Sequence, residues 1–232
     1  MLNQLVFNGQ PLEDFKVSLT NAGIYKMPDR DVSKQSVPGR NGDVVIDNGR
    51  YNNIEIEYPC VIHENFDVNF PAMMAYLLNQ KGYGRLEDSF YPEYYRSGAF
   101  VSVSNKSVSK DGSIGTFSLT FNCKPQRWLK SGETKYTLEQ SGSMKNPSAF
   151  GSKPFIRLYG KGTLIIAGQS LTIDPLYPNS YLDVDCELMN AYYGDRNFNN
   201  YVSGNFPELP AGLFQISWTG TSLEIIPKWW TI

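Results

Sequence analysis

From Val37 to Cys60 the chain reads VPGRNGDVVIDNGRYNNIEIEYPC, and no other stretch limits its conformation more. Pro38-Gly39 and Asn41-Gly42 are turn signals almost back to back. Val44-Val45-Ile46 is a short apolar run, and Asp47-Asn48-Gly49 signals another turn. Ile54-Glu55-Ile56-Glu57-Tyr58 then alternates apolar and charged residues, the period of a strand with one buried face. Asn and Gly tolerate the positive φ that tight hairpin turns require. The stretch predicts a hairpin entered through a glycine-rich loop.

Short strands dominate up to about residue 130. Leu5-Val6-Phe7 leads into an Asn8-Gly9 turn, and Phe15 to Leu19 alternates. Phe100 to Ser104 and Thr116 to Cys123 alternate clearly, with Asp111-Gly112-Ser113 turning between them, as in an antiparallel sheet with one buried face. One helix interrupts the series. Phe70, Met73, Met74, Leu77 and Leu78 recur at spacings of three and four. Asn69 suits its cap, Pro71 its first turn, and Lys81-Gly82 its end. The Met-rich stripe is read as a lid on the sheet, with a docking surface as the alternative.

Past Trp128 the composition shifts to Gly, Ser, Asn and Pro between residues 131 and 152. Strand-like pieces then follow at spacings near ten residues: Pro154 to Tyr159, Thr163 to Ile166, Gln169 to Ile173, Tyr181 to Cys186, Leu213 to Trp218 and Ser222 to Ile226. That rhythm suggests a sandwich. Gly160-Lys161-Gly162 reads as a hairpin turn, and Asp183-x-Asp185 as the solvent face of a strand. The expected division is 1–130 and 131–232, and the expected fold class is mainly β.

Chemistry-bearing patterns are sparse. The net charge is −2, and the split at Lys130 leaves 14 basic and 14 acidic residues before it and 7 and 9 after. Neither half carries the clustered Lys and Arg that phosphate affinity needs. The three cysteines, Cys60, Cys123 and Cys186, form no C-x-x-C, so the expectation is buried free thiols in a reducing compartment. Met1-Leu2-Asn3-Gln4 lacks a basic n-region with an apolar core, and no apolar run approaches ~18 residues, so a cytoplasmic origin and no membrane span are expected. The single histidine, His63, accompanies no nucleophile elbow, and no H-E-x-x-H, P-loop or EF-hand pattern appears. No cofactor or metal site is predicted, and the chain is not read as an enzyme.

The wording of the turns adds a family. The Pro-Gly-Arg-Asn-Gly-Asp turn, Asp-Asn-Gly-Arg-Tyr and the Ile-x-Ile strand resemble the N-terminal domain of the distal tail proteins (Dit) of long-tailed, non-contractile bacteriophages. Gly82-Tyr83-Gly84-Arg85-Leu86-Glu87-Asp88 and the run Tyr91-Pro92-Glu93-Tyr94-Tyr95-Arg96 resemble the segment after that domain's helix. Asn146-Pro147, Lys153-Pro154-Phe155-Ile156, Gly160-Lys161-Gly162, Asp183 to Glu187, Phe206 to Gly212 and Ile226 to Trp230 resemble the family's C-terminal, galectin-like domain. The order covers nearly the whole chain, without the insertions or added carbohydrate-binding domains of larger members.

The resemblance implies an N-terminal β-barrel or sandwich with one α-helix and a galectin-like β-sandwich after it. It implies a virion protein, assembled in the host cytoplasm, at the tail tip or baseplate. Residues 1–130 would close a hexameric ring joining the tail tube to the host-adhesion device. Residues 131–232, the outer domain, would hold receptor-binding proteins, with the tail-tube protein and the tail-associated hub or lysin protein as further partners. Viral DNA would pass through the lumen without specific binding, helped by a lumen that is neutral or acidic. The ring contacts expected are Arg40, Asn41 and Gly42 in the first turn and Tyr91, Tyr94, Tyr95 and Arg96 in the aromatic loop, since Tyr and Arg are enriched in interface cores. There, Arg96 is expected to stack on Tyr94 or Tyr91.

The competing reading is a carbohydrate-binding module for host cell-wall glycans. Sugar sites on sandwiches use aromatic rings, and Tyr192, Tyr193, Trp218 and Trp229 are the candidates. Trp229 and Trp230 point to opposite faces if extended, so at most one belongs to the core. A galectin-like shape alone does not carry galectin activity.

Overall fold

The computed structural model of the protein describes residues 3–232. It divides into two compact units, one running to Arg127 with Ile232, the other spanning Trp128–Thr231.

The first unit contains β1 (Leu5–Phe7), β2 (Gln10–Pro11), β3 (Val17–Leu19), β4 (Arg30–Ser36), β5 (Asp43–Tyr51), β6 (Ile54–Ile62), α1 (Phe66–Asn79), β7 (Gly84–Asp88), β8 (Tyr94–Val108) and β9 (Gly115–Leu129), whose last residues pass into the second unit. Asn8 at φ 50° and Gly9 at φ 80° supply the two left-handed residues that a tight β1–β2 hairpin needs. The main sheet is ordered β2-β1-β7-β8-β9-β6-β3. Its register sets Ile54 opposite Cys123, Ile56 opposite Phe121, Tyr58 opposite Leu119 and Cys60 opposite Phe117. All eight are buried, so the alternation read from both strands meets on one face. Phe121 lies edge-on to Phe7, Tyr58 and Phe100 at 5.1, 6.1 and 5.7 Å, the arrangement that aromatic quadrupoles favour.

Helix α1 lies against this core through Phe66, Met73 and Leu77, which favours the lid reading of its stripe. It begins a turn earlier than Asn69 and Pro71 suggest. Phe66 is buried and stacks on Phe70 at 4.8 Å, and both rings meet Phe117 edge-on. Burying one more aromatic side chain is worth about 2–3 kcal/mol, which outweighs the preference for proline in the first turn. Pro71 therefore sits inside the helix, Asn65 becomes the cap, and Asn69 donates to the Glu64 carbonyl at 2.9 Å. Leu78 falls off the stripe and is exposed.

The expected hairpin between Val44 and Tyr58 does not form. β5 continues past Asp47-Asn48-Gly49 with a bulge, the register slipping between Arg30 opposite Tyr51 and Val32 opposite Asp47 and Gly49 standing at φ 73°, and pairs with β4 in a separate two-stranded sheet, while β6 joins the main sheet. The turn lies between these strands, where Arg40 N–H donates to Val37 O at 3.1 Å.

The second unit holds β10 (Tyr136–Leu138), β11 (Gly142–Asn146), β12 (Phe155–Tyr159), β13 (Gly162–Ile166), β14 (Gln169–Ile173), β15 (Tyr181–Asp185), β16 (Asn190–Tyr193), β17 (Arg196–Asn197), β18 (Val202–Gly204), β19 (Gly212–Trp218), β20 (Leu223–Ile226) and β21 (Trp230–Thr231). One sheet runs β10-β20-β12-β15-β16-β17 and the other β11-β19-β13-β14-β18. Ile156, Leu158, Leu182, Val184 and Ile225 from the first face Leu164, Ile166, Leu171, Ile173 and Ile216 from the second in one core. This is the expected β-sandwich. Gly160-Lys161-Gly162 is not a hairpin turn, because β12 and β13 belong to different sheets. Tyr177 plugs the core, fully buried, and its hydroxyl donates to Tyr181 O at 2.7 Å.

Candidate assembly surface

The β4–β5 hairpin is an arm. Neither strand contributes a buried residue or belongs to another sheet. Its order comes from cross-strand polar contacts: Arg30 with Asp47 at 2.6 Å, Arg50 with Asp31 at 2.6 Å, and Asn48 donating to Asp31 at 3.1 Å. Arg30 also lies 5.1 Å from the Tyr51 ring centroid. Hydrogen bonds from Asn48 and Arg50 hold the Asp31 carboxyl below its ordinary pKa, and the Gly49 N–H and Arg30 do the same for Asp47. Toward the tip the side chains turn apolar, with Val45 57% and Ile46 51% exposed. Arg40, Asn41 and Gly42 form the exposed tip. Among the described residues both outer edges of the arm leave their backbone donors and acceptors unpaired in the sheet sense, a template for pairing with another chain.

The aromatic loop is built differently from the sequence expectation. Asp88 ends β7, and its carboxylate accepts the N–H groups of Phe90 and Tyr91 at 3.0 and 3.1 Å, fixing the turn. Burial raises its pKa, against the pull of those N–H groups and of the Arg96 charge. Arg96 stands opposite Leu86 on the core side of the sheet and is 6% exposed. It therefore does not stack on Tyr94 or Tyr91 and offers no contact surface. Its guanidinium lies 4.9 Å from the Tyr25 ring and donates to Pro125 O at 3.3 Å. Arg127 takes the expected place, 4.1 Å from Tyr94 and 5.3 Å from Tyr91. Tyr95 carries Arg85 at 3.7 Å, and Arg85 is paired with Glu87. Tyr91 is exposed and Tyr94 and Tyr95 are half-buried, so Tyr91 is the ring of the three most open to another chain. Nothing in the sequence marked Arg127 as the partner, since it lies 33 positions from Tyr94 and the two meet only through the fold of the sheet.

In the second unit, Trp229 is 3% exposed and belongs to the core, so it is no stacking platform. Trp218 is half-buried against the same core. Tyr192 and Tyr193 lie on the outer part of the six-stranded sheet, Tyr192 opposite Asp183 and 6.5 Å from Phe155, Tyr193 4.7 Å from Tyr181. Asp183 is 5% exposed rather than solvated. Arg157 lies across it, Nε to Oδ1 at 2.6 Å and Nη2 to Oδ2 at 2.8 Å, and over Tyr181 at 4.3 Å. His63 shares a surface hollow with Glu13, Lys16, Ser18 and Glu64, where Lys16 pairs with Glu64 at 3.3 Å.

No protein-family model and no curated protein matches the sequence. Solved structures do match in shape. The SPP1 Dit protein, described as a paradigm of the hub adsorption apparatus in phages infecting Gram-positive hosts, aligns at a TM-score of 0.75 and 14% identity, over 97% of this chain and 98% of its own. The chain has the SPP1 Dit fold. Chains of the phage P2 baseplate in its activated conformation, with Ca and with Sr, align at a TM-score of 0.47 and at 11% and 10% identity, covering 97% of this chain in each case.

Proposed function

We propose that the chain is a structural hub of a phage tail tip and acts by assembly rather than catalysis. The supporting observation is the SPP1 Dit fold over 97% of the chain, reached independently of the ordered sequence resemblance. The exposed arm adds a physical reason for assembly. A lone two-stranded hairpin is marginal in water, and its open edges and the exposed Val45 and Ile46 gain most from a neighbouring copy. In this reading residues 1–130 form a hexameric ring that continues the tail tube. A heterologous contact closes into a ring when its rotation divides the circle. Residues 131–232 carry receptor-binding proteins, the tail-tube protein and the tail-associated hub or lysin protein dock on the ring, and DNA passes without specific binding. The site is the virion tail tip, after assembly in the host cytoplasm.

Arg40, Asn41, Gly42, Tyr91, Tyr94 and Tyr95 remain the proposed ring contacts, and Arg96 acts behind them. The test is light scattering over a concentration series, with negative-stain images of the largest species, for the protein alone and mixed with a tail-tube protein. Closed rings that Arg40→Ala or Tyr95→Ala weakens support the reading. A strict monomer in both settings refutes it.

A second reading, glycan binding, draws on the half-buried Phe155, Tyr181 and Tyr192 beside the Arg157–Asp183 pair. A glycan-array screen in which Tyr192→Ala abolishes a signal would favour it.

A further inference from the structure

The cavity behind the aromatic loop carries a charge imbalance. It lies within the first unit and is lined by Tyr25, Tyr58, Asp88, Tyr94, Arg96 and Arg127, among others. Two guanidiniums share this lining. Arg96 is more than nine-tenths buried, at 6% exposure, and its hydrogen bond goes to a neutral carbonyl, Pro125 O. Arg127 is half-buried, and its Nε is fully enclosed without a hydrogen-bond partner, the single such side-chain atom among the described residues. Neither arginine forms an ion pair with a described carboxylate. Buried charges are ordinarily paired, because an unpaired one forfeits its hydration without compensation. Guanidinium forks also match oxyanions better than any other side chain does.

The one acid in the lining, Asp88, is already committed to the N–H groups of Phe90 and Tyr91. Two arginines against one carboxylate leave a single positive charge, which one monoanion balances. The cavity measures about 20 Å³, where one water needs about 10–15 Å³, so it admits the two oxygens of a single carboxylate at most and nothing bulkier. We propose that this cavity is a binding site for a carboxylate, presented either by a small organic acid or by an acidic side chain of another copy of the chain. Arg127 Nε and the Arg96 guanidinium are its donors, and the tyrosines exclude water around it.

The experiment is a titration of the whole protein with sodium acetate, against sodium chloride at matched ionic strength, read from the arginine Nε–H signals by ¹⁵N-edited NMR. Saturable acetate shifts at two arginine signals are expected, and Arg127→Gln should weaken binding about tenfold, the loss of one charge-assisted hydrogen bond. Arg127→Lys, which keeps the charge but loses the fork, should also weaken it, and thermal unfolding confirms that both variants are folded. Equal, non-saturating shifts with acetate and chloride would overturn the proposal, as would unchanged acetate affinity in Arg127→Gln. Light scattering separates the two sources. A fall in assembled mass at saturating acetate assigns the carboxylate to a second copy, and an unchanged mass assigns it to a free acid.

Discussion

Replacing Asp183 by alanine is the sharpest test of how the second unit holds its six-stranded sheet together. The Asp183 side chain is 7% exposed and Arg157 31% exposed, joined by a two-pronged contact at 2.6 and 2.8 Å. Removing one partner of a buried pair costs about 3–5 kcal/mol. Arg157 keeps nearly a third of its surface in water, which screens the orphaned charge, so about 2–3 kcal/mol is expected. Arg157→Ala should cost about as much, since it strands a carboxylate that is nearly enclosed and also removes the cation–π contact with Tyr181. The double variant should cost less than the sum by about 1–2 kcal/mol, because the second removal relieves a charge that the first left unpaired. The protein supplies its own probe. All four tryptophans, Trp128, Trp218, Trp229 and Trp230, lie in the second unit, so urea unfolding followed by their fluorescence reads that unit. With a slope of about 1–3 kcal/mol/M, the single variants should lower the midpoint by about 1–2 M. Additive single losses, or an Asp183→Ala midpoint unchanged within error, would refute the assignment of a coupled pair.

Three further outcomes follow from the geometry. Hydroxyl hydrogen bonds from Ser109 and Ser113 hold the Asp111 pKa at about 2 against an ordinary 3.8. A depressed folded value means its stabilising contribution is full above 3.8 and is lost as pH falls through about 2. A carboxyl-detected NMR titration should show that midpoint, and Ser109→Ala with Ser113→Ala should move it back up. Burial pushes the Cys60, Cys123 and Cys186 thiols to about 12, so a colorimetric thiol assay at neutral pH should find no reactive cysteine in the native protein and all three in denaturant. Gly204→Ala should lower the tryptophan-detected stability by about 1–2 kcal/mol from conformation alone. Gly204 sits at φ +99°, and a methyl group there would also meet Ser170 O at 2.3 Å.

What the sequence disclosed, and what it withheld, divides along a physical line. β6 and β9 were legible because each alternates apolar and polar residues over its own length, and burial on one face enforces that period. β12 to β15, β19 and β20 were legible for the same reason, whereas β11 and β16 to β18 were not read. β4 was invisible, because Arg30 to Ser36 buries nothing and so carries no period; its existence depends on pairing with β5. The start of α1 was misplaced because local rules for Asn69 and Pro71 compete with the burial of Phe66, which is decided by β9 from across the core. At the aromatic loop, the composition placed a guanidinium on Tyr91 and Tyr94 but named Arg96, where Arg127 occupies that position. Arg96 alternates inward with Leu86, whereas Arg127 is delivered by a distant strand. Trp229 and Tyr192 have the same stacking chemistry, and only the packing around them separates a core residue from a half-exposed one.

The arm also sets a cost and a timetable. A two-stranded sheet with no buried residue has little cooperative stability of its own, so its backbone amides should exchange with solvent far sooner than those of β6 and β9. Any neighbour that captures it must then supply the ordering entropy of the segment at the moment of contact. Each contact made by such an arm is weak by itself and readily reversed. In the proposed ring a closed circle of them would behave differently, because releasing one copy requires both of its junctions to fail together. In that proposed assembly, reversible single contacts would let misplaced copies leave before closure, and closure would then make the ring persistent without any one junction being strong.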